Sequence, residues 1–378
     1  MLSAEQLSLT AKQAAQHAGL DLAGVAPVRE EDFPEIKAFA DWIAAGNAGE
    51  MAYMEKRTET GELKRSSAKN SVPWAKSVIV CAINYNTAHP YSVDLHDPAR
   101  GWISRYAWGA MDYHNALMPR LRQVEASLRE LAGGYGIALE TRCYVDTGPV
   151  LERLYARYAG IGWIGKNTCL INQQIGSWLF LGVILTSLEL RQDEPVPDRC
   201  GSCTRCIDAC PTQAILAPGQ LDARRCIAYL TIEKRGTIEE EFRDSIGHHI
   251  FGCDICQDVC PWNRKSAVTT SSQEFQPHPG LFHPELQSMA DIGEEQYRQM
   301  FRGSPVKRAK FAGLKRNIAV AMGNSGNREF LPALEKMATG PDLTVAEHAR
   351  WAIEKLRSLP EQTESESATK PQETCGSG

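Results

Sequence analysis

The sequence has 378 residues, of which 43% are hydrophobic and 23% are charged, and its formal net charge is -5. This profile is typical of a globular protein with two or three domains and a sizeable core. The longest apolar stretch, residues 178–185, is far shorter than the roughly 20 residues of a membrane-spanning helix, and the N-terminus has no export-signal pattern. We therefore expect a cytoplasmic protein with no membrane partner.

The first half of the chain alternates helical and extended patterns. In chain order, the patterns predict a helix over residues 3–18, strands over 22–28 and 77–86, a helix over 111–136, a strand over 137–145, another helix, and an apolar strand over 177–185. This alternation predicts an α/β domain over residues 1–190.

One acidic residue follows the strand predicted over 137–145. In the segment YVDTGPVLER, Pro149 suits the first position of the next helix, which makes Gly148 the cap and leaves Asp146 outside the helix. Asp146 is then either a turn residue or a general acid at the end of a strand, where α/β sheets bind ligands. The local sequence leaves both readings open.

Two cofactor motifs match only in part. GIGWIG at residues 160–165 has the glycine spacing of a dinucleotide fingerprint, but it follows a helical stretch instead of a strand. We therefore expect no nicotinamide there, and a loop in which the glycines let a ligand approach the backbone. DYHNAL resembles the DxHxxG signature of cobalamin enzymes, but Leu117 replaces the glycine. His114 is therefore expected on a helix surface and not on cobalt.

The cysteines are concentrated in two runs. The pattern CxxCxxCxxxCP over residues 200–211 has the bacterial ferredoxin spacing, in which three thiolates hold one 4Fe-4S cluster and the fourth binds a second cluster. The other run ends at Pro261 and is one ligand short because Ile250 replaces its first cysteine, and Cys226 can supply that ligand. We expect one cluster on Cys200, Cys203, Cys206 and Cys260, and the other on Cys210, Cys226, Cys253 and Cys256.

Structural zinc is the alternative for these runs, since paired CxxC motifs also suit tetrahedral zinc. Zinc leaves the third regularly spaced cysteine and the two prolines unexplained, so we favour a ferredoxin-like domain with two 4Fe-4S clusters over residues 191–268. We expect Cys81, Cys143 and Cys169 to be small buried core residues and Cys375 to be inert.

Short helices joined by Gly and Asn turns are predicted over residues 269–360, similar to a stacked helical-repeat unit. Residues 361–378 have the composition of a disordered tail. Residues 302–316 carry six basic side chains and no acid. Taken alone, this run indicates a solvated helix face.

Several segments together carry a family resemblance: MAYMEKR, RYAWGAMDYH, YVDTGPVLER, GIGWIGKN, DARRCIAYLTIE, IFGCDICQDVCPWN and LKRNIAVAMGN. In combination, from about residue 5 to residue 357, the chain resembles the epoxyqueuosine reductases. These are cobalamin-dependent iron-sulfur enzymes of tRNA modification that are related to reductive dehalogenases. The resemblance implies an α/β cobalamin-binding catalytic domain, a ferredoxin-like two-cluster domain, and an all-α HEAT-like repeat domain that helps to bind tRNA.

The resemblance also implies a reaction, namely the two-electron reduction of epoxyqueuosine to queuosine at the wobble position of the anticodon. Asp146 aligns with the proton donor of the family, a role for which we expect burial to raise its pKa. The family's base-off cobalamin lacks a histidine ligand, in agreement with Leu117. The implied partners are tRNA bearing epoxyqueuosine and an external electron donor, and the implied state is a monomer.

Further site residues follow from matched segments and from the basic run. The segments assign cofactor binding to Arg57, Tyr106, Asp146, Gly165, Lys166, Asn167, Ser177, Tyr229 and Thr231. Given the resemblance, contact with tRNA phosphates explains the basic run better than a solvated helix face does. We expect tRNA to contact Lys307, Arg308, Lys310, Lys315 and Arg316.

Two other functions remain open on the sequence. A reductive dehalogenase would share cobalamin and a similar ferredoxin module, although this chain has no twin-arginine signal. A ferredoxin-type electron carrier or a cobalamin-binding chaperone would use the cofactors without chemistry of its own. Tight binding of tRNA would distinguish the reductase from both.

Overall fold

The computed structural model describes residues 2–29, 33–265 and 267–360. The predicted tail over 361–378, with Cys375, lies outside these residues. The first region alternates helices and strands in this order: α1 (Ala4–His17), β1 (Leu22–Pro27), α2 (Pro34–Ala44), β2 (Ser77–Asn84), β3 (Trp102–Ile103), α3 (Tyr113–Gly134), β4 (Thr141–Tyr144), α4 (Glu152–Tyr158), β5 (Trp163–Ile164), β6 (Leu170–Ile171) and β7 (Leu179–Thr186).

Both long helices of this region begin at a side-chain cap. At α1, the Ser3 hydroxyl accepts from the backbone of Gln6 while the Gln6 side chain accepts from the backbone of Ser3, which satisfies two of the free N–H groups of the first turn. At α3, the carboxylate of Asp112 accepts from the backbone N–H of His114. The second cap fixes the position of His114 in the first turn of α3.

The four long strands form one sheet in the order β1-β2-β7-β4. Every pairing in this sheet is antiparallel, which differs from the parallel sheet that α/β alternation usually indicates. The reason is the position of β7, which lies between β2 and β4 and separates the two strands that α3 connects. β4 is therefore an edge strand, and Asp146 and Thr147 in the loop after it are exposed.

Helices cover both faces of the sheet. Leu117 and Leu121 of α3 pack with α1 on one face, and Leu154 and Tyr155 of α4 pack on the other. All eight residues of β2 are buried, as expected of a central strand enclosed on both sides.

The cysteine-rich region consists of short elements: α5 (Arg205–Asp208), β8 (Ile215–Ala217), β9 (Gln220–Leu221), α6 (Ile227–Ile232), α7 (Glu240–Ile246), β10 (His249–Phe251), α8 (Ile255–Asp258) and α9 (Pro261–Lys265). β10 pairs in parallel with β3, which docks this region onto the first. The two cysteine runs coil into α5 and α8, and these two short helices contact each other.

The C-terminal region is helical, with α10 (Leu286–Asp291), α11 (Glu294–Met300), α12 (Lys310–Asn324), α13 (Leu331–Ala338) and α14 (Leu343–Ser358). Phe301 and Ile318 pack in one cluster with Trp102, Trp108 and Phe251 from the preceding regions. The helices therefore share a core with the rest of the chain. In the described ranges, no helix is long and apolar enough to cross a membrane.

Two boundaries around Asp146 differ from the sequence expectation. α4 begins at Glu152 after Leu151, which makes no side-chain cap, so Pro149 is not its first residue. The preceding strand pairs with β7 only from Thr141 to Tyr144, because the residues before it do not join the ladder. A longer loop than predicted therefore carries Asp146 from the sheet to α4.

Candidate active site and cluster ligands

Asp146 lies in the loop between β4 and α4 with a φ of 55°. Aspartate tolerates this left-handed conformation better than most side chains. Its backbone N–H donates to Oε1 of Glu152 at 2.7 Å, which ties the loop to the first residue of α4.

The carboxylate of Asp146 is open on one side and contacts α3 on the other. Its Oδ2 accepts a hydrogen bond from the Tyr113 hydroxyl at 3.0 Å and lies 3.8 Å from Nε2 of His114. The side chain of Asp146 is 66% exposed. Our expectation that Asp146 is buried is therefore wrong, because the loop at the edge strand holds it at the surface.

Glu152, the first residue of α4, is the more enclosed carboxyl here and is partly buried. Burial raises the pKa of Glu152 to about 8, and the negative charge of Asp146 adds to the effect. Two adjacent carboxyl groups therefore differ in environment, one open to an incoming ligand and one held against the backbone. Such a pair is typical of sites that move protons.

Two tyrosines border Asp146 on the α3 side. The rings of Tyr106 and Tyr113 meet edge to face with centroids 6.1 Å apart. Burial raises the pKa of both hydroxyls, and the charge of Asp146 raises it further. Both tyrosines therefore remain hydrogen-bond donors at any physiological pH.

Tyr53 brings the C-terminal helices to the same place. The guanidinium groups of Arg65 and Arg308 lie 5.9 Å and 5.5 Å from the centre of its ring. Burial raises the pKa of Tyr53, and the charges of Glu233 and Asp146 also raise it. All three regions of the chain therefore meet around Asp146.

The first set of cysteines lies together. Burial raises the pKa of Cys206 to about 11, and the neighbouring thiols of Cys260, Cys200 and Cys203 add to the rise. Cys200 and Cys260 also pack in one small cluster with Trp163. The four thiols assigned to one iron-sulfur cluster are therefore mutual neighbours.

The members of the second set are also close to one another. Burial raises the pKa of Cys226, and the neighbouring thiol of Cys210 adds to the rise. Burial also raises the pKa of Cys253, and the neighbouring thiol of Cys226 adds to that rise. The pKa of Cys256 lies well above its ordinary value, chiefly because of a hydrogen bond with Cys169, together with burial. Cys169 is thus a ninth thiol beside the second set, whereas Cys81 and Cys143 are buried core residues as expected.

Within the described ranges, no three His, Cys, Asp or Glu side chains converge closely enough to hold one metal ion.

Three of the expected cofactor residues contact the cysteine runs. The Lys166 amine donates to the carbonyls of Gly201 and Cys203 at 2.7 and 3.0 Å, and the Asn167 amide donates to the carbonyl of Cys256 at 3.3 Å. The Ser177 hydroxyl donates to the side chain of Gln257 at 2.8 Å. These side chains hold the cluster-binding loops in place.

The remaining expected cofactor residues are distributed along the chain. Tyr106 borders Asp146, whereas Tyr229 and Thr231 are buried and accept hydrogen bonds from the backbone of Glu50 and Gly252. Arg57 is exposed and donates to the carbonyl of Gly61. Of these four residues, the structure brings only Tyr106 to the Asp146 carboxylate.

The glycines of GIGWIG serve the chain's own packing. A Cβ on Gly162 would lie 2.2 Å from the carbonyl oxygen of Ile171, and one on Gly165 would lie 2.5 Å from the Ile171 side chain. They permit the close approach of β5 and β6. The close packing of the chain is therefore enough to explain these glycines, without the expected approach of a ligand to the backbone.

The basic run divides into exposed and internal cations. Lys307, Arg308 and Lys310 are exposed, although Arg308 makes a paired contact with Glu233 at 2.9 and 2.8 Å. Lys315 is partly buried and donates to the carbonyl of Ala290.

Arg316 is 1% exposed, and its guanidinium donates to the carbonyls of Leu230, Lys234 and Gly236. The expected phosphate contact by Arg316 is therefore wrong, because this side chain joins α12 to the end of α6.

Three neighbours of Asp146 did not emerge from the sequence: Tyr53, Tyr113 and Glu152. The acid three residues after Pro149 is a visible signal for Glu152, since it opens a helix beside the candidate acid. Tyr113 lies in the DYH segment, whose similarity to the DxHxxG signature depends on the histidine and not on the tyrosine. No local signal identifies Tyr53, because its neighbours come from distant parts of the chain.

Comparison with known proteins identifies two family models in this chain. Residues 65–147 match "Epoxyqueuosine reductase QueG, DUF1730". Residues 199–263 match "4Fe-4S double cluster binding domain". The second match spans the first run of cysteines, Cys226 and the second run.

Curated relatives named epoxyqueuosine reductase match nearly the whole chain. The protein of Synechocystis is 44% identical over 296 residues, which cover 78% of this chain and 98% of the relative. The protein of Xanthomonas campestris is 41% identical over 90% of this chain and 93% of its own. The protein of Escherichia coli is 38% identical over 93% of this chain and 90% of its own.

Solved structures of epoxyqueuosine reductases also match this chain. A crystal structure of epoxyqueuosine reductase with an epoxyqueuosine-modified tRNA-Tyr stem loop superposes with a TM-score of 0.82 at 30% identity, over 94% of this chain and 91% of that one. The Bacillus subtilis enzyme, in a form with its catalytic aspartate loop swung out of the active site, has a TM-score of 0.81 at 29% identity over the same shares. The chain therefore belongs to the epoxyqueuosine reductase family.

Proposed function

We propose that this chain reduces epoxyqueuosine to queuosine at the wobble position of tRNA. The observation that carries the proposal is the 41% identity over nine-tenths of the chain with a relative of that name. The open carboxylate of Asp146 at the meeting point of all three regions supports it. A similar protein was solved with an epoxyqueuosine-modified stem loop, which supports tRNA as the substrate.

Two 4Fe-4S clusters would be held by the two cysteine sets, and a base-off cobalamin would be held by residues around Asp146. When bound, cobalamin supplies a low-potential centre that passes electrons to the epoxide. The residues fit such a cofactor, because Asp146 is open and is flanked by the rings of Tyr106 and Tyr113. An external donor must supply the two electrons of each turnover, and we propose that the protein acts as a monomer in the cytoplasm.

Asp146 would protonate the oxygen that leaves the epoxide. The Tyr113 hydroxyl fixes the orientation of Oδ2 by donating to it. The backbone bond to Glu152 holds the loop from the other side. Proton transfer by a side chain held in this way is the general-acid role that opening an epoxide requires.

The C-terminal helices, which we propose form a HEAT-like repeat unit, would position the anticodon stem and loop. Lys307 and Lys310 are exposed cations next to Arg308, which lies over Tyr53 beside Asp146. Contacts of such cations with phosphate supply affinity and orientation. A wobble base turned out of the loop would then reach Asp146.

Mass spectrometry of tRNA nucleosides from a strain that lacks this gene tests the proposal. We expect epoxyqueuosine to accumulate, and queuosine to return on complementation with the wild-type gene but not with a gene carrying Asp146→Asn. Normal queuosine in a strain with no second reductase would contradict the proposal. Dehalogenation or electron transfer would then be the functions to test.

A further inference from the structure

His114 forms a short, directed contact on the side away from Asp146. Its Nδ1 lies 2.6 Å from Oδ1 of Asp112, the residue that also caps α3. Asp112 is 8% exposed. Burial of Asp112 opposes its ionisation, but the hydrogen bonds from the side chain and backbone of His114 lower its pKa below the ordinary value. Asp112 is therefore a carboxylate that accepts from Nδ1–H.

This contact determines which nitrogen of His114 is available for chemistry. Because Nδ1 carries the proton shared with Asp112, Nε2 is the nitrogen that can gain or lose a proton. Nε2 is buried and has no hydrogen-bond partner. It lies 3.8 Å from Oδ2 of Asp146, slightly beyond hydrogen-bond distance. A buried, unpartnered ring nitrogen beside the candidate acid requires an explanation.

We propose that His114, oriented by Asp112, returns protons to Asp146 during the reaction. This inference rests on the proposed function and adds a positioning and proton-supplying residue to it. A side-chain rotation that shortens the gap to Asp146 by less than 1 Å would complete the path, and geometry of this kind often tightens when substrate binds.

The proton count of the reaction gives the path its purpose. Removal of the epoxide oxygen as water consumes two electrons, which the donor provides through the bound cofactors, and two protons. Asp146 gives the first proton to the oxygen and becomes a carboxylate. The imidazolium of His114 then transfers its Nε2 proton to Asp146, which delivers the second one. His114 ends neutral and is reprotonated from solvent after product release.

Access of water decides whether such a path is needed. Asp146 is largely exposed without tRNA, so solvent can protonate it between turnovers. A nucleotide seated over the loop would cover the carboxylate during turnover. An internal donor behind Asp146 could then supply the second proton.

Three charged side chains and one aromatic ring face His114. The carboxyl groups of Asp112 and Asp146 lie 2.6 Å and 3.8 Å from its two ring nitrogens. The charge of Lys307 acts on Asp112. The ring of Tyr113 stacks on the imidazole with centroids 4.1 Å apart.

The direct test compares His114→Gln with the wild-type holoenzyme under single-turnover conditions. Glutamine can still donate to Asp112 but cannot carry a proton. We expect the rate of queuosine formation to fall roughly 100-fold, with unchanged affinity for an epoxyqueuosine-modified stem loop. The pH profile of the rate should also differ between the wild type and the variant, because glutamine cannot carry the proton. His17→Gln, on the exposed end of α1, is the matched control and should behave as wild type.

Chemical rescue separates proton transfer from a merely structural effect. His114→Gly leaves space for a free imidazole, so added imidazole should restore at least part of the rate, and should not restore the rate of Asp146→Asn. Melting curves report whether the glycine variant folds. If it does not, the pH profiles of His114→Gln and Asp112→Asn decide.

A second readout needs no cobalamin. In protein with 15N-labelled histidine, the signal that is lost in His114→Gln should show a proton held on Nδ1, and Asp112→Asn should abolish this preference. If His114→Gln turned over with the rate and pH profile of the wild type, the proposed role of His114 would be overturned. Absence of queuosine formation by the wild type would instead overturn the proposed function itself.

Discussion

Asp146 has a left-handed backbone conformation, and its side chain accepts a hydrogen bond from Tyr113. A substitution that tests its role as an acid must preserve both features. Asparagine tolerates a φ of 55° and can still accept from the Tyr113 hydroxyl, so Asp146→Asn changes only the acid. We expect the rate of queuosine formation to fall by roughly 100-fold to 10,000-fold. Single-turnover assays with mass spectrometry of the nucleosides measure this.

Binding measurements control that prediction. The iron-sulfur absorption and the affinity for the modified stem loop should be the same in Asp146→Asn and in wild type. Asp146→Ala is less informative, because alanine is strained at a positive φ. Full activity of the asparagine variant would remove Asp146 from the reaction.

The buried Arg316 gives a second prediction at this scale. Arg316→Gln shortens the side chain and leaves the carbonyls of Leu230, Lys234 and Gly236 without their guanidinium donor. Each unsatisfied buried group costs about 1–3 kcal/mol, so we expect a loss of about 3 kcal/mol or more in the free energy of unfolding. Thermal unfolding of the variant tests this, with Lys307→Gln as an exposed control that removes the same charge.

At the scale of elements, the loop between β4 and α4 depends on the protonation of Glu152. Its pKa is about 8 in the folded chain against an ordinary value of 4.5, so the folded state holds a proton that the unfolded state releases between these values. Stability contributed by this group is therefore complete below about pH 4.5 and is lost as the pH rises to about 8.

Glu152→Gln keeps the acceptor for the Asp146 backbone and removes the titration. We expect the variant to melt a few degrees above wild type at about pH 8 and at nearly the same temperature at about pH 5. Melting temperatures across this range are the measurement. A constant difference between the two proteins at every pH would show that Glu152 does not titrate as the structure indicates.

The β5–β6 hairpin makes a prediction about the first cluster. Because the amine of Lys166 holds the carbonyls of Gly201 and Cys203, Lys166→Met should loosen that cysteine run. We expect faster loss of iron-sulfur absorption in air, by about threefold or more for a lost charge-assisted bond. Weaker cobalamin binding with stable clusters would instead favour the cofactor contact that the sequence indicates for Lys166.

For the whole molecule, the meeting of three regions at Asp146 predicts how tRNA binds. Lys307→Gln should weaken binding of the stem loop and reduce the slope of log affinity against log salt by about 0.7–0.9 for one lost phosphate contact. Lys76→Gln neutralises an exposed lysine just before β2, at the opposite end of the sheet, and serves as the control. Equal salt slopes in all three proteins would exclude Lys307 from the tRNA interface.

Sequence patterns predicted the local elements well, because periodicity and caps are properties of neighbouring residues. They placed α1, α3 and the central strands within a few residues, and the cysteine spacing indicated two sets of thiols that the fold does bring together. They did not predict the antiparallel sheet, which depends on the insertion of β7 between β2 and β4. They also misjudged the exposure of Asp146 and Arg316, because burial is decided by packing between distant segments.

The conversion of substrate by the purified protein tests the central claim most directly. Chain loaded with both clusters and cobalamin is incubated without oxygen, with a chemical reductant and a stem loop bearing epoxyqueuosine, and the nucleosides are then analysed by mass spectrometry. We expect queuosine to form with the wild type and not with Asp146→Asn. Epoxyqueuosine that stays unchanged in the presence of fully loaded wild-type protein would contradict the account.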